Sequence, residues 1–199
     1  AGSGYLSQND ARLHFGLGTA TNATELKADP TFGTASTILT LRGADPKLGA
    51  DIAAIRARAG TIDVIAHQQM PIPGSVSTLD LRDQAAGGTF DRATLRLDSG
   101  RYPTGPGEVA VTDSTAELFG LKVGSRWTAD GQSRQVVGIV ENPLNLLDQF
   151  ALVAPGQAVP PTNVTILTDW RPDPANRLRL PSGTGMLINS RGKPRTASG

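Results

Sequence analysis

Three segments follow one another between residues 36 and 67 with few residues between them: "STILTLR", "DPKLGADIAAIRARAG" and "TIDVIAH". The outer two read as strands. In the middle one, Leu48, Ile52, Ile55 and Ala59 recur at i, i+4, i+7 and i+11, which places them on one face of a helix. Asp45 is the expected N-cap with Pro46 at the first helical position, and Gly60 is the expected stop. A helix joined so tightly to two strands has little freedom except to lie across the sheet they build. A helix packed directly across a sheet is compatible with the α+β class expected of the chain.

The remaining chain is dominated by strands and turns. "DARLHFGLG" alternates Ala11, Leu13, Phe15 and Leu17 with polar or small residues, the pattern of a half-buried strand with His14 on the polar face. A loop follows to about residue 36. "PIPG" at 71–74 breaks the chain, and "SVSTLDLRDQAAGG" ends in a glycine pair that marks a candidate lobe boundary. A short strand around "ATLRL" and a turn-rich "DSGRYPTGPG" come next.

In "GEVAVTDSTAELFGLKVG", Val109 and Val111 alternate as a strand before a short helix that Gly120 ends. Thr112, Asp113 and Ser114 are all candidate N-caps, and Ser114 with Glu117 has capping-box spacing. "SRWTADGQSRQVVGIV" reads as a hairpin turning at Asp130-Gly131. Its second strand carries Val136, Val137, Ile139 and Val140 on both faces and is expected to be central. "ENPLNLLDQFALVA" is a helical or extended connector, "PGQAVPP" a second break, "TNVTILT" a strand, and "GMLIN" a last apolar stretch expected to pair with the sheet.

Composition narrows the chemistry. The 199 residues suit one large domain or two small lobes, and 38% hydrophobic content supplies an ordinary core. Nineteen basic against 18 acidic residues leave a net charge of +1, which gives no field to gather nucleic acid. No cysteine is present, so thiolate catalysis, disulfides and cysteine metal sites are excluded. No stretch approaches the roughly 20 apolar residues of a membrane-spanning helix, and "AGSGYLSQND" lacks the regions of a secretion signal. The chain is therefore expected to be soluble as it stands, as a whole protein or as an excised part of a longer one.

Candidate reactive groups are few. His14 and His67 are the two histidines, neither with a second ligand at metal spacing. "GLGTAT" lacks the third glycine and the following helix of a phosphate loop. Ser7, Ser75, Ser99 and Ser182 stand beside or near glycine but outside a nucleophile elbow. "DWRPD" reads as a turn and lacks the stepped spacing of a calcium loop, and "NAT" and "NVT" match the glycosylation acceptor pattern. No catalytic residue, metal or cofactor is expected.

The stretch "GRYPTGPGEVAVTDSTAELFGLKVGSRWTADGQSRQVVGIV" resembles the signature region of the extracytoplasmic domain of MacB/FtsX-type ABC transporter permeases. Gly100, Arg101, Pro103, Glu108 to Val111, Ala116, Leu118, Gly120, Leu121, Gly124 and Val136 to Val140 carry the likeness. "GADIAAIRARAGTIDVIA" is similar to the family's helix before a glycine and strand, and together the two cover about half of the chain. The resemblance implies a two-lobed mixed α/β domain with an inserted small β-rich lobe. Residues 1–90 and 145–190 would form the membrane-proximal lobe, 91–144 the insert, and 191–199 a flexible tail.

It further implies a non-catalytic part of a cell-membrane protein on the extracytoplasmic side. The domain would transmit conformational change, or contact a protein, peptide or lipid. Its ATP-binding subunit would be reached through a membrane part outside this chain, and the isolated domain would be monomeric. A free-standing secreted binding module is the alternative, followed by a hydrolase with an unrecognised triad. Leu144, Leu146, Leu147 and Phe150 of the connector are candidate partner contacts, being many apolar side chains for a link. Insertion between two membrane helices would bring Leu6 and Ile188 to one side, within about 25 Å.

Overall fold

Alternation and helical period sort the chain into strands around two helices, and the computed structural model describes residues 22–25, 35, 37–90, 92, 94–170, 178–182 and 185–186. The strands are β1 (Asn22–Glu25), β2 (Thr37–Arg42), β3 (Ile62–Pro71), β4 (Thr78–Gln84), β5 (Arg96–Gly100) and β6 (Glu108–Val111), then β7 (Arg126–Ala129), β8 (Gln132–Glu141), β9 (Phe150–Val153), β10 (Asn163–Thr168), β11 (Leu178–Arg179) and β12 (Gly185–Met186). The helices are α1 (Leu48–Ala59) and α2 (Asp113–Phe119). Among the described residues one ten-stranded mixed sheet runs β1-β2-β10-β3-β4-β9-β6-β8-β5, with β7 also paired to β8. The class is α+β.

The tightly linked unit of residues 36–67 is β2-α1-β3, but its strands are not neighbours. β10 lies between them, antiparallel to both, so β2 and β3 run parallel one position apart. This is a split β-α-β. Helix α1 covers the join. Ile55 is fully buried against Leu39, Leu41, Val164 and Ile166, with Leu48, Ile52 and Ala59 partly buried around it. Full burial of such an isoleucine stabilises by roughly 1.5–3 kcal/mol.

The start of α1 differs from expectation. Asp45 accepts from the Lys47 N–H at 2.8 Å in a turn ahead of the helix, and Lys47 holds the cap position without a side-chain bond. Pro46 therefore sits outside the helix. The turn is satisfied by Asp45 itself, which leaves helical geometry to begin two residues later. Gly60 ends the helix as expected, with φ of 79° and its N–H on the Arg56 carbonyl.

At α2 the competition among three caps resolves to Thr112, whose hydroxyl accepts from the Thr115 N–H at 3.4 Å. Ser114 lies inside the helix, so the Ser114–Glu117 box does not form. Gly120 takes the left-handed conformation, φ 63° and ψ 40°, and the Leu121 N–H closes onto the Ala116 carbonyl at 2.8 Å. Asp130 and Gly131 both have positive φ, 50° and 71°, the tight hairpin turn expected there.

Three stretches differ from their sequence reading, and the first, residues 22–25 of the expected loop, forms β1. "STLDLRDQ" forms β4, while the connector resolves to its extended alternative at its end, as β9, which lies parallel to β4 and antiparallel to β6. The described part of "GMLIN" pairs with β11 in a separate two-stranded sheet and not with the main one. Packing also crosses the expected boundaries at 90 and 145: one cluster joins Met70, Leu79 and Leu81 with Val109, Val111, Trp127, Val136, Ala151 and Val153. The strand expected at 11–17, His14, "GLGTAT", Ser7, the Leu6 and Ile188 positions and the 191–199 tail lie outside the described residues. No helix among the described residues is long and apolar enough to cross a membrane.

Candidate functional site

Residues opposite one another in antiparallel strands share a face of the sheet. Val64, Ala66, Val164 and Ile166 pack toward α1, so His67 on β3 and Thr165 on β10 face the other way. His67 stands opposite Arg82 of β4, which puts Asp80 and Arg82 on that same face. The three strands thus gather a polar group that no single stretch of sequence contains.

Its bonds are continuous. His67 Nδ1 contacts Asp80 at 3.0 Å, while Nε2 and the Thr165 hydroxyl are 3.1 Å apart. Arg82 Nε donates to Asp80 at 2.7 Å and NH2 to Asp148 at 2.7 Å. The guanidinium carbon sits 3.9 Å above the Phe150 ring, a cation–π contact. Burial alone would raise the Asp80 carboxyl, but the hydrogen bond and charge of His67, then those of Arg82, reverse this and hold it below the ordinary value. Burial would lower the Arg82 guanidinium, and Asp148 followed by Asp80 instead raise it.

Asp148 belongs to the turn that carries the candidate contact residues. Asn142 accepts from the Leu144 N–H and donates to Asp148, and Asn145 accepts from the Leu147 N–H at 3.2 Å. Gln149 reaches the Ser114 carbonyl on α2 at 3.3 Å. The turn is consequently fastened to β4 through Arg82 and to α2 through Gln149. At its tip Leu146 and Leu147 are 68% and 89% exposed, and Leu144 is half-buried.

Phe150 corrects the expectation. It is fully buried, packed with Leu95, Ala110, Val140 and Leu152, because β9 enters the sheet between β4 and β6. Three of the four candidate contact side chains remain at the surface or its margin, and the fourth belongs to the core.

Thr165, His67 and Asp80 have the connectivity of a hydroxyl–imidazole–carboxylate triad, yet the setting lacks its other parts. Thr165 lies within β10, paired on both sides, so the surrounding backbone N–H groups are committed to the ladder and supply no oxyanion donors. Neither ring nitrogen of His67 is bonded to a serine. The same pairing places the "NVT" acceptor pattern within a strand, with Asn163 and Thr165 half-buried. Among the described residues, no group of three or more His, Asp or Glu side chains is arranged to hold a metal ion.

A second ion pair fixes the turn before β6. Glu108 binds the Arg101 guanidinium and accepts from the Thr104 N–H at 2.8 Å, which together lower its carboxyl from 4.5 to about 2. A carboxyl lowered by folding stabilises above its unfolded value, and that stabilisation is lost as pH falls through the folded one. Thermal midpoints should therefore be level near neutrality and fall steadily from about pH 4.5 toward pH 2. A scanning calorimetry series checks this, and Asp80→Asn should lower the neutral midpoint and flatten the acid slope.

A family model described as ASPIC and UnbV matches residues 1–28. No curated protein matches the sequence. Among solved structures, the chain is similar to the extracellular domain of the noncanonic ABC-type transporter YknZ from Gram-positive bacteria, at 20% identity over 60% of this chain and 72% of that one, with a TM-score of 0.44. It is also similar to the periplasmic region of MacB from Actinobacillus actinomycetemcomitans, at 12% identity over 75% and 82% of the two chains, with a TM-score of 0.48.

Proposed function

We propose that this chain is the extracytoplasmic domain of an ABC transporter permease of the MacB/FtsX type, without catalysis of its own. The observation that carries the reading is the signature segment of residues 100–140. Its resemblance residues fall at the positions that make one rigid element: Val109, Val111 and Val136 in a shared core, Gly120 at the helix stop, and Gly138 under a close chain crossing. Such a body suits transmission of movement, since packed interiors shift as units and deform little within themselves.

In this reading residues 1–90 and 145–190 serve as the membrane-proximal lobe and 91–144 as the insert. The sheet that crosses between them makes the two lobes move together. ATP hydrolysis belongs to a cytoplasmic subunit, and the domain faces the outside of the cell membrane. Leu146 and Leu147, with Leu144 beside them, form a small apolar knob held out by paired Asx turns, which suits contact with an extracytoplasmic protein, peptide or lipid.

Fractionation of the source bacterium tests the proposal. An antibody to this domain is expected to find it in the membrane fraction, degraded by protease added from the extracytoplasmic side. Recovery in a soluble secreted fraction would select the free-standing module instead. Protection inside the cytoplasm would overturn both.

A further inference from the structure

On the α2 side of the sheet, a cavity of about 370 Å³ opens between the β3–β4 strands, the β7–β8 hairpin and the loop through Pro160. This volume is at the lower end of small-molecule sites. Arg134 of β8 lines it and is only 5% exposed. Among the described residues its guanidinium makes one hydrogen bond, from NH2 to the Gln132 side chain, and Nε has none. A buried cation with so few acceptors is costly, because no carboxylate among the described residues bonds to it. Burial lowers the guanidinium from its ordinary value, and Asp130 at the exposed hairpin turn offsets only part of this.

The neighbouring side chains define what would fill the gap. Gln68, which lines the cavity, donates a side-chain N–H to the Pro160 carbonyl at 2.8 Å, and its Oε1 has no partner among the described residues. Gln69 stands opposite Asp80, and its side chain accepts from Thr78 at 2.7 Å on the other face of the sheet, so only its backbone borders the cavity. Gln157 also lines the cavity, and its side-chain amide is unbonded among the described residues. The side-chain amides of Gln68 and Gln157 offer both donors and acceptors that complement an amide group, while Arg134 complements a carboxylate. Asp130 and Arg134 are the charged residues of the lining, with a sum of zero, which disfavours a dianion such as phosphate against a singly charged group.

We infer that this cavity binds a carboxylate carried next to an amide, as in an N-acyl amino acid or the carboxyl end of a peptide, with Arg134 as the anion anchor. The site is independent of the permease reading and of the polar network on the opposite face. Amide chemical-shift titration of the full chain is the test, using N-acetylalanine, the peptide alanyl-alanyl-alanine, acetate and inorganic phosphate. N-acetylalanine or the tripeptide should give saturable shifts at Gln132, Arg134 and Gln157, with acetate and phosphate at least about tenfold weaker. The tighter of the first two identifies a free acyl amino acid or a peptide end as the source.

Arg134→Gln should weaken binding by about tenfold or more. Since this change could also disturb folding, Gln157→Leu provides a second variant, expected to lower affinity for N-acetylalanine and leave the weaker acetate response unchanged. Absence of saturable shifts up to about 10 mM, a threshold reached by even weak sites, would overturn the proposal. So would equal binding of all four probes, or unchanged affinity in a folded Arg134→Gln protein.

Discussion

Phe150→Ala is expected to lower the unfolding free energy by about 3–5 kcal/mol, enough to leave a domain of ordinary stability partly unfolded. The ring has no exposed surface, and its removal opens a void among Leu95, Ala110, Val140 and Leu152. It also strips the apolar floor from beneath Arg82, a cation–π contact that contributes about 1 kcal/mol more. The backbone of Phe150 accepts from the Thr112 N–H and the Thr115 hydroxyl, so slackening of β9 would spread to the start of α2. Urea unfolding followed by circular dichroism measures the loss. Leu147→Ala serves as the comparison and should change stability by less than about 0.5 kcal/mol, because its side chain is already in water. Similar losses for both variants would contradict the division of the connector into an exposed tip and a buried strand.

Gly138→Val is the second large expected effect, a loss of roughly 3 kcal/mol or a failure to fold. A side chain at this position would begin 2.2 Å from the Arg101 carbonyl oxygen, which is backbone and has no rotamer by which to retreat. The closeness comes from two irregularities that meet here. β8 shifts register against β6 between Val136 and Gly138, and β5 shifts against β8 between Leu97 and Ser99. The chain leaving β5 then folds over the strand, with the Arg101 N–H on the Val137 carbonyl at 2.9 Å. Gly105→Ala gives the control: an added carbon there meets nothing within 4 Å, and the unfolding midpoint should hold.

The elements most legible in the sequence are those whose evidence is local. Gly60, Gly120 and the Asp130-Gly131 turn each require a backbone that few residues tolerate, and a single position announces it. The central place of β8 followed from apolar residues on both its faces. β4 was hidden for the opposite reason. Leu79 and Leu81 alternate with Asp80 and Arg82, but two charges in four residues look like a surface loop until His67 and Asp148 are brought to meet them. β9 is four residues of unbroken apolar character, a run whose length cannot separate strand from helix.

The candidate site shows the same division. Leu146 and Leu147 were visible as apolar residues in a connector, and their exposure follows from Asx turns at Asn142 and Asn145 that the sequence also contains. The fate of Phe150, next to them in the chain, depended on a strand order that no local pattern states. Arg134 was unmarked for a related reason: alternation along β8 gives its face, while the absence of an acid partner is a property of three-dimensional neighbours.

The slot between β2 and β3 sets an order of events for the folding chain. Residues 37–71 emerge from the ribosome early, yet the two strands they contribute cannot meet one another, because the strand that separates them ends at residue 168. Roughly a hundred residues must be made before the gap closes, a separation that raises contact order and slows acquisition of the native sheet. During that interval both inner edges expose unpaired backbone, the kind of surface on which other chains add strands. A protein built this way gains from a chaperone that occupies those edges until β10 arrives.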